Sequence, residues 1–175
     1  MNRYQIVMAA LILGLSGCGD PVRDALADSL GPEMPGVRPG PDHRPGQPCL
    51  ACHVDGGRAK PAFAIAGTTY RAKGAPDPLG HVDVTMVDSA GKTLRARSNC
   101  AGNFYLPPAE FSLREPFWVT MDFGGETIDM ESPVFREGSC ATCHSEPLGP
   151  TSAGAVFMSD DATLAAPWKD LACRD

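Results

Sequence analysis

No block of lysine or arginine occurs anywhere in this chain. Its 15 Lys and Arg are outnumbered by 21 Asp and Glu, for a formal charge of -6. Contact with phosphates needs clustered cations, so nucleic acid is excluded as a partner. A long apolar run is also missing. The longest, Ile6 to Leu15, is too short to span a bilayer. There is no Ser-His-Asp set, no pair of acid/base carboxylates and no phosphate-binding loop, so catalysis is not expected. Histidine is scarce, with four residues, His43, His53, His81 and His144. Proline and glycine, at 17 and 19 residues, are abundant instead and favour turns and β-structure over long helices.

Arg3 followed by the apolar Ile6–Leu15 has the pattern of a secretory signal. Leu15-Ser16-Gly17-Cys18 closes it and resembles a bacterial lipobox, which implies lipid on Cys18 and residues 1–17 as the signal peptide. The membrane is then a partner through that lipid. The expected location is the cell envelope, on the periplasmic or surface side, with Gly19 favouring the outer membrane and Asp20 blurring the choice. Residues 18–46 read as a Pro/Gly-rich tether with a short helix near Val22–Leu30.

Six strand candidates follow: Ala62–Tyr70, His81–Asp88, Lys92–Arg97, Asn103–Leu106, Phe117–Phe123 and Glu126–Glu131. Val82, Val84 and Met86 share one face of the second, and Phe117, Val119, Met121 and Phe123 one face of the fifth. The expected fold is mainly β, an antiparallel sandwich over residues 61–131 flanked by segments 47–60 and 132–175 of loop and short helix. Ser98-Asn99-Cys100-Ala101-Gly102-Asn103-Phe104-Tyr105-Leu106, with Ala66–Tyr70 and Val82-Asp83-Val84 before it, resembles carboxypeptidase-regulatory-like, transthyretin-type sandwiches. The resemblance implies an Ig-like, seven-stranded sandwich without catalysis of its own. Cys100 departs from the small or polar residue usual at that place.

The chemistry lies in two repeats, Cys49-Leu50-Ala51-Cys52-His53 and Cys140-Ala141-Thr142-Cys143-His144. Each is a C-x-x-C-H haem-attachment pattern. One turn brings both thiols to one face, where they can add to the vinyl groups of haem, and the His that follows is the proximal iron ligand. Two covalently bound haem c groups are therefore expected. The alternatives are four thiolates around a structural zinc, which leaves both histidines without a role, or disulfide and dithiol chemistry, for which no βαβ setting is present. His43, early in the chain, and His81, on the polar-facing parity of its strand, are candidate distal ligands. Met34, Met86, Met121, Met130 and Met158 could also serve, with Met158, which follows the second motif, the leading methionine and Met86 and Met121 read as core. Cys100 and Cys173 remain, and an exported chain seldom leaves two thiols free, so they are expected to pair.

An even number of strands between the motifs would return the chain to the end where it began and bring both motifs together. An odd number would set them about 20 Å apart. The six candidates favour the first arrangement. As a whole the chain resembles dihaem c-type cytochrome lipoproteins of bacteria. The resemblance implies electron transfer with other envelope redox proteins, against a non-redox module whose cysteine pairs are zinc or disulfide staples.

Overall fold

The computed structural model describes residues 20–33, 39–73, 75–170 and 173. Cys18 and residues 1–17, where a signal segment is expected, lie outside the described residues. The described residues up to 31 and those from 32 onward belong to separate compact units. In the first, helix α1 (Pro21–Ser29) is capped by Asp20, whose carboxylate accepts the N–H groups of Val22 and Arg23 at 3.1 Å, with Pro21 in the first turn.

The second unit is a mainly β sandwich of two four-stranded sheets. Strand β1 (Ile65–Ala72) pairs antiparallel with β2 (Ala75–Pro78) and β5 (Asn103–Leu106), and parallel with β8 (Val156–Phe157). The facing sheet runs β4-β3-β6-β7, with β3 (Asp83–Asp88), β4 (Thr93–Arg97), β6 (Phe117–Phe123) and β7 (Glu126–Asp129), all antiparallel. The alternation read from sequence is the one that packs. Val82, Val84 and Met86 are fully buried, and Phe104, Leu106, Phe117 and Met121 are buried with little exposure, whereas Tyr105 and Trp118 face out.

Strands β2 and β8 were not anticipated. Ala75-Pro76-Asp77-Pro78 carries two prolines, which suit a short edge segment and conceal it in a hydrophobicity pattern. β8 is two residues long, below the length at which a period can be read. The C-terminal segment is consequently part of the sandwich, since Met158, Ala165 and Trp168 all join its core.

The tether expectation also needs correction at its C-terminal end. Asn103 Nδ2 donates to the carbonyls of His43 and Pro41, and Gly46 N–H donates to Thr68 Oγ1 at 2.8 Å. A Pro/Gly-rich run leaves backbone groups without ladder partners; Asn103 donates to two of its carbonyls and Thr68 accepts from one of its N–H groups, and together they hold residues 41–46 against β1 and β5.

Asp88 ends β3 almost completely buried, and its carboxylate takes three backbone N–H groups, from Arg114 at 3.2 Å and from Lys92 and Ala90 at 2.9 Å. These bonds, that of Arg114 first, hold the carboxyl below the ordinary carboxylate range against the opposing effect of burial. The folded state thus binds this proton less readily than the unfolded chain. Its contribution is complete above the unfolded value of about 3.9 and is lost as pH falls through the folded one. Thermal melts between pH 7 and 2 should show an acid limb that is shallower in Asp88→Asn. Identical limbs would refute the assignment.

Candidate cofactor site

The two Cys-x-x-Cys-His segments fold identically. Cys49–Ala51 and Cys140–Thr142 each form a single 3-10 turn. Cys52 and Cys143 donate to the carbonyls of Cys49 and Cys140 at 3.1 Å in both cases. The backbone of His53 and of His144 returns to the same two carbonyls, at 2.9 and 2.8 Å. The carbonyls of Cys52 and Cys143 then accept from Ala59 and Ala153 at 3.0 and 2.7 Å. With these turns the second cysteine and the histidine of each motif are fixed relative to the first.

The imidazoles are oriented alike as well. His53 Nδ1 lies 2.7 Å from the carbonyl of Pro61, and His144 Nδ1 lies 3.1 Å from that of Gly154. A carbonyl only accepts, so each Nδ1 carries the hydrogen and each neutral ring keeps its lone pair on Nε2. This second-sphere bond selects the tautomer that a metal ligand requires.

Both turns pack on β1. Gly138 N-terminal to the second turn lies so close to the carbonyl of residue 64 that a Cβ there would stand 2.0 Å from it, and 3.0 Å from Leu50 of the first turn. Gly67 of β1 approaches Cys140 in the same way, with 2.9 Å from a built Cβ to that of Cys140. The two glycines are what let the motifs lie side by side. Their adjacency does not come from an even number of crossings, because seven strands, β1 to β7, separate them in sequence. It arises because residue 139 bridges Ala66 in parallel, next to the start of β1 where the first motif sits.

A cavity of about 560 Å³ opens beside the second motif. Cys140, Cys143 and His144 line it, together with Met121, Ile128 and Met130 among others. The volume falls within the range of roughly 300–1,000 Å³ usual for small-molecule and cofactor sites. Ser139 also lines it, and its hydroxyl is buried without a partner among the described residues. At the first motif the surroundings are aromatic. His53 stacks on Phe63 with centroids 4.5 Å apart, and Phe63 stacks on Tyr105 at 4.4 Å.

The remaining candidates separate cleanly. His43 stands beside His53, with ring centroids 5.6 Å apart and planes at 28°, and its Nδ1 donates to the carbonyl of Gly40, which leaves Nε2 free. His81 is not at either motif. It is exposed at the start of β3 with its Nε2 3.3 Å from Cys173 Sγ, because its end of the strand abuts the β4–β5 turn that carries Cys100. Met158 is not available either. Its N–H bonds Tyr70 O at 2.9 Å, a register that turns the side chain into the core at 2% exposure. Cys100 and Cys173 are disulfide-bonded. His81, Cys100 and Cys173 bring their ligand atoms within 4.8 Å of one another, but both sulfurs of that group are already bonded.

The four motif cysteines are free thiols. Among the described residues they do not gather three ligand atoms at one point, as a shared tetrahedral zinc would require. Burial pushes the Cys49 thiol up, and pushes Cys140 up to about 12. A dithiol oxidoreductase needs the reverse, an attacking sulfur with a depressed value. No family model, no curated protein and no solved structure matches the chain.

Sequence reasoning counted Met130 only among the methionines that could serve as a ligand, and singled out none of Ser139, Gly67 or Gly138. Met130 had a signal, since it shares the parity of Ile128 across the Glu126–Glu131 strand candidate. For the two glycines there was none, because close approach depends on which segments meet.

Proposed function

We propose that this protein is a dihaem c-type cytochrome that carries electrons, with one haem bound covalently at each Cys-x-x-Cys-His. The observation that carries the reading is the duplicated turn, in which two thiols share one 3-10 turn and the following histidine has its Nδ1–H tied to a backbone carbonyl. When bound, haem supplies a one-electron iron couple whose potential depends on ligands and burial. The chain supplies everything else. Cys49 and Cys52 hold the first group and Cys140 and Cys143 the second. His53 and His144 would offer Nε2 to the iron, and the carbonyls of Pro61 and Gly154 would raise their basicity through the Nδ1 hydrogen bonds. The apolar side chains around the second motif exclude water, and the partnerless Ser139 hydroxyl can satisfy a polar atom within the cavity. The residues present fit the group. His43, beside His53 and with its Nε2 unengaged among the described residues, would be the second protein ligand of the first site in this reading.

Side-by-side motifs suit electron exchange between the two haems and a single docking patch for envelope redox proteins. Lipid on Cys18 would anchor the carrier at the cell envelope, preferentially the outer membrane. No helix among the described residues is long and apolar enough to cross a membrane.

Intact mass of the exported protein, with a pyridine haemochrome spectrum, tests the whole reading. The expected mass is that of a chain beginning at Cys18, plus lipid and two haems, and the colour should survive acid-acetone extraction because thioethers do not dissociate. A colourless protein of unmodified thiols would leave the sandwich as a non-redox envelope module.

A further inference from the structure

The two sites differ in what faces them, and the difference names a ligand. We propose that Met130 Sδ, together with His144, would ligate the iron of the second haem; this rests on the dihaem reading above. The second site needs a donor on the cavity wall, and the histidines do not supply one. Among the described residues His144 is the only histidine that lines the cavity, and its Nδ1 is committed to Gly154. Two methionines line it, Met121 and Met130. Met121 is 8% exposed in the middle of β6, where it pairs with Val84 and Ile128 and belongs to the core between the sheets. Withdrawing its sulfur would open a hole in that core.

Met130 is placed otherwise. It follows β7, fixed by its N–H to the carbonyl of Val119 at 2.9 Å, and it is half-buried. It lines the cavity without belonging to the core cluster or packing against it. A methionine on an apolar cavity wall that is not used to fill the core has its flexible thioether to spare. His144 comes from the excursion that leaves the edge of β1, and Met130 from the facing sheet, so the two enter the cavity from different layers. Carboxylates of Asp129, Glu131 and Glu137 also line the cavity, but a neutral thioether binds a soft iron without the burial of a charge.

The consequence is a pair of unequal sites. Histidine and methionine together raise the potential of an iron centre relative to two histidines. The second haem would then be the electron sink and the first, with His43 and His53, the donor.

The test uses the mature holoprotein and two variants, Met130→Leu and Met121→Leu. Haem content is measured first, by intact mass. Ferric absorption in the far red, where methionine-to-iron charge transfer appears, and a redox titration of both haems are measured next. The parent should show the charge-transfer band and two separated midpoints. Met130→Leu should keep two haems, lose the band completely and lower the higher midpoint, while Met121→Leu should keep both features. A band that survives in Met130→Leu, or that vanishes in Met121→Leu, overturns the assignment while leaving the dihaem reading intact. A parent with no haem at Cys140 and Cys143 overturns both.

Discussion

Holoprotein carrying Cys140→Ala and Cys143→Ala together should have one haem where the parent is expected to have two. The loss should appear as one haem mass and as a halved haemochrome absorbance per chain. The reason for expecting a clean halving is geometric. Each turn closes on its own carbonyl bonds, and each histidine is held by its own backbone acceptor, so the first site does not depend on the sulfurs of the second. His144→Ala should act differently. Both thioethers can still form, so the mass should remain near that of the parent, while the second haem changes spin state because its proximal nitrogen is gone. Loss of both haems in the double variant would contradict independent attachment. An unchanged visible spectrum in His144→Ala would remove His144 as a ligand.

The other large effect is on stability. The Cys100–Cys173 bond closes a loop with a sequence separation of 73. In the chain-entropy model such a cross-link stabilises by about 4 kcal/mol, a large part of the net stability of a domain this size. Cys100→Ser and Cys173→Ser should each lower the denaturant midpoint by a similar amount, and the double variant should be no worse than either. That non-additivity is the mark of one shared bond. Effects that sum, or two alkylatable thiols at these positions in the native parent, would show that the bond does not form in the exported protein.

What could be read from sequence, and what could not, follows from the range of each signal. The alternation of Val82, Val84 and Met86 is local, and so is that of Phe117, Val119 and Met121; both strands are found where a period of two placed them. Gly102, in the turn that precedes β5, has a φ of +74°, which a glycine in the sequence signals locally. The pairing of Cys100 with Cys173 came from counting, which is blind to distance but not to redox setting. The failures are all questions of what lies opposite. Parity put His81 on an outer face without saying that the disulfide would occupy that end of the strand. Position after the second motif favoured Met158, yet a two-residue parallel strand turned it into the core. Composition gave residues 41–46 to a tether, although Asn103 and Thr68, some 60 and 22 positions away, hold them down.

Ser139 and Val156 both lie along the same edge of β1, opposite Ala66 and Thr69. The backbone bonds of Ala66 to Gly138 and of Met158 to Tyr70 use that one edge. Three positions of a strand span about 10 Å, a gap that two ordinary residues could bridge. Residues 140–155, with both thiols and His144, are therefore a detour in what is otherwise one edge strand. Sheet pairing fixes the two ends of the detour and leaves its length and contents free. The sandwich can close around β1 whether or not the sulfurs have yet been modified, and the second site can change in sequence without altering the scaffold that holds it.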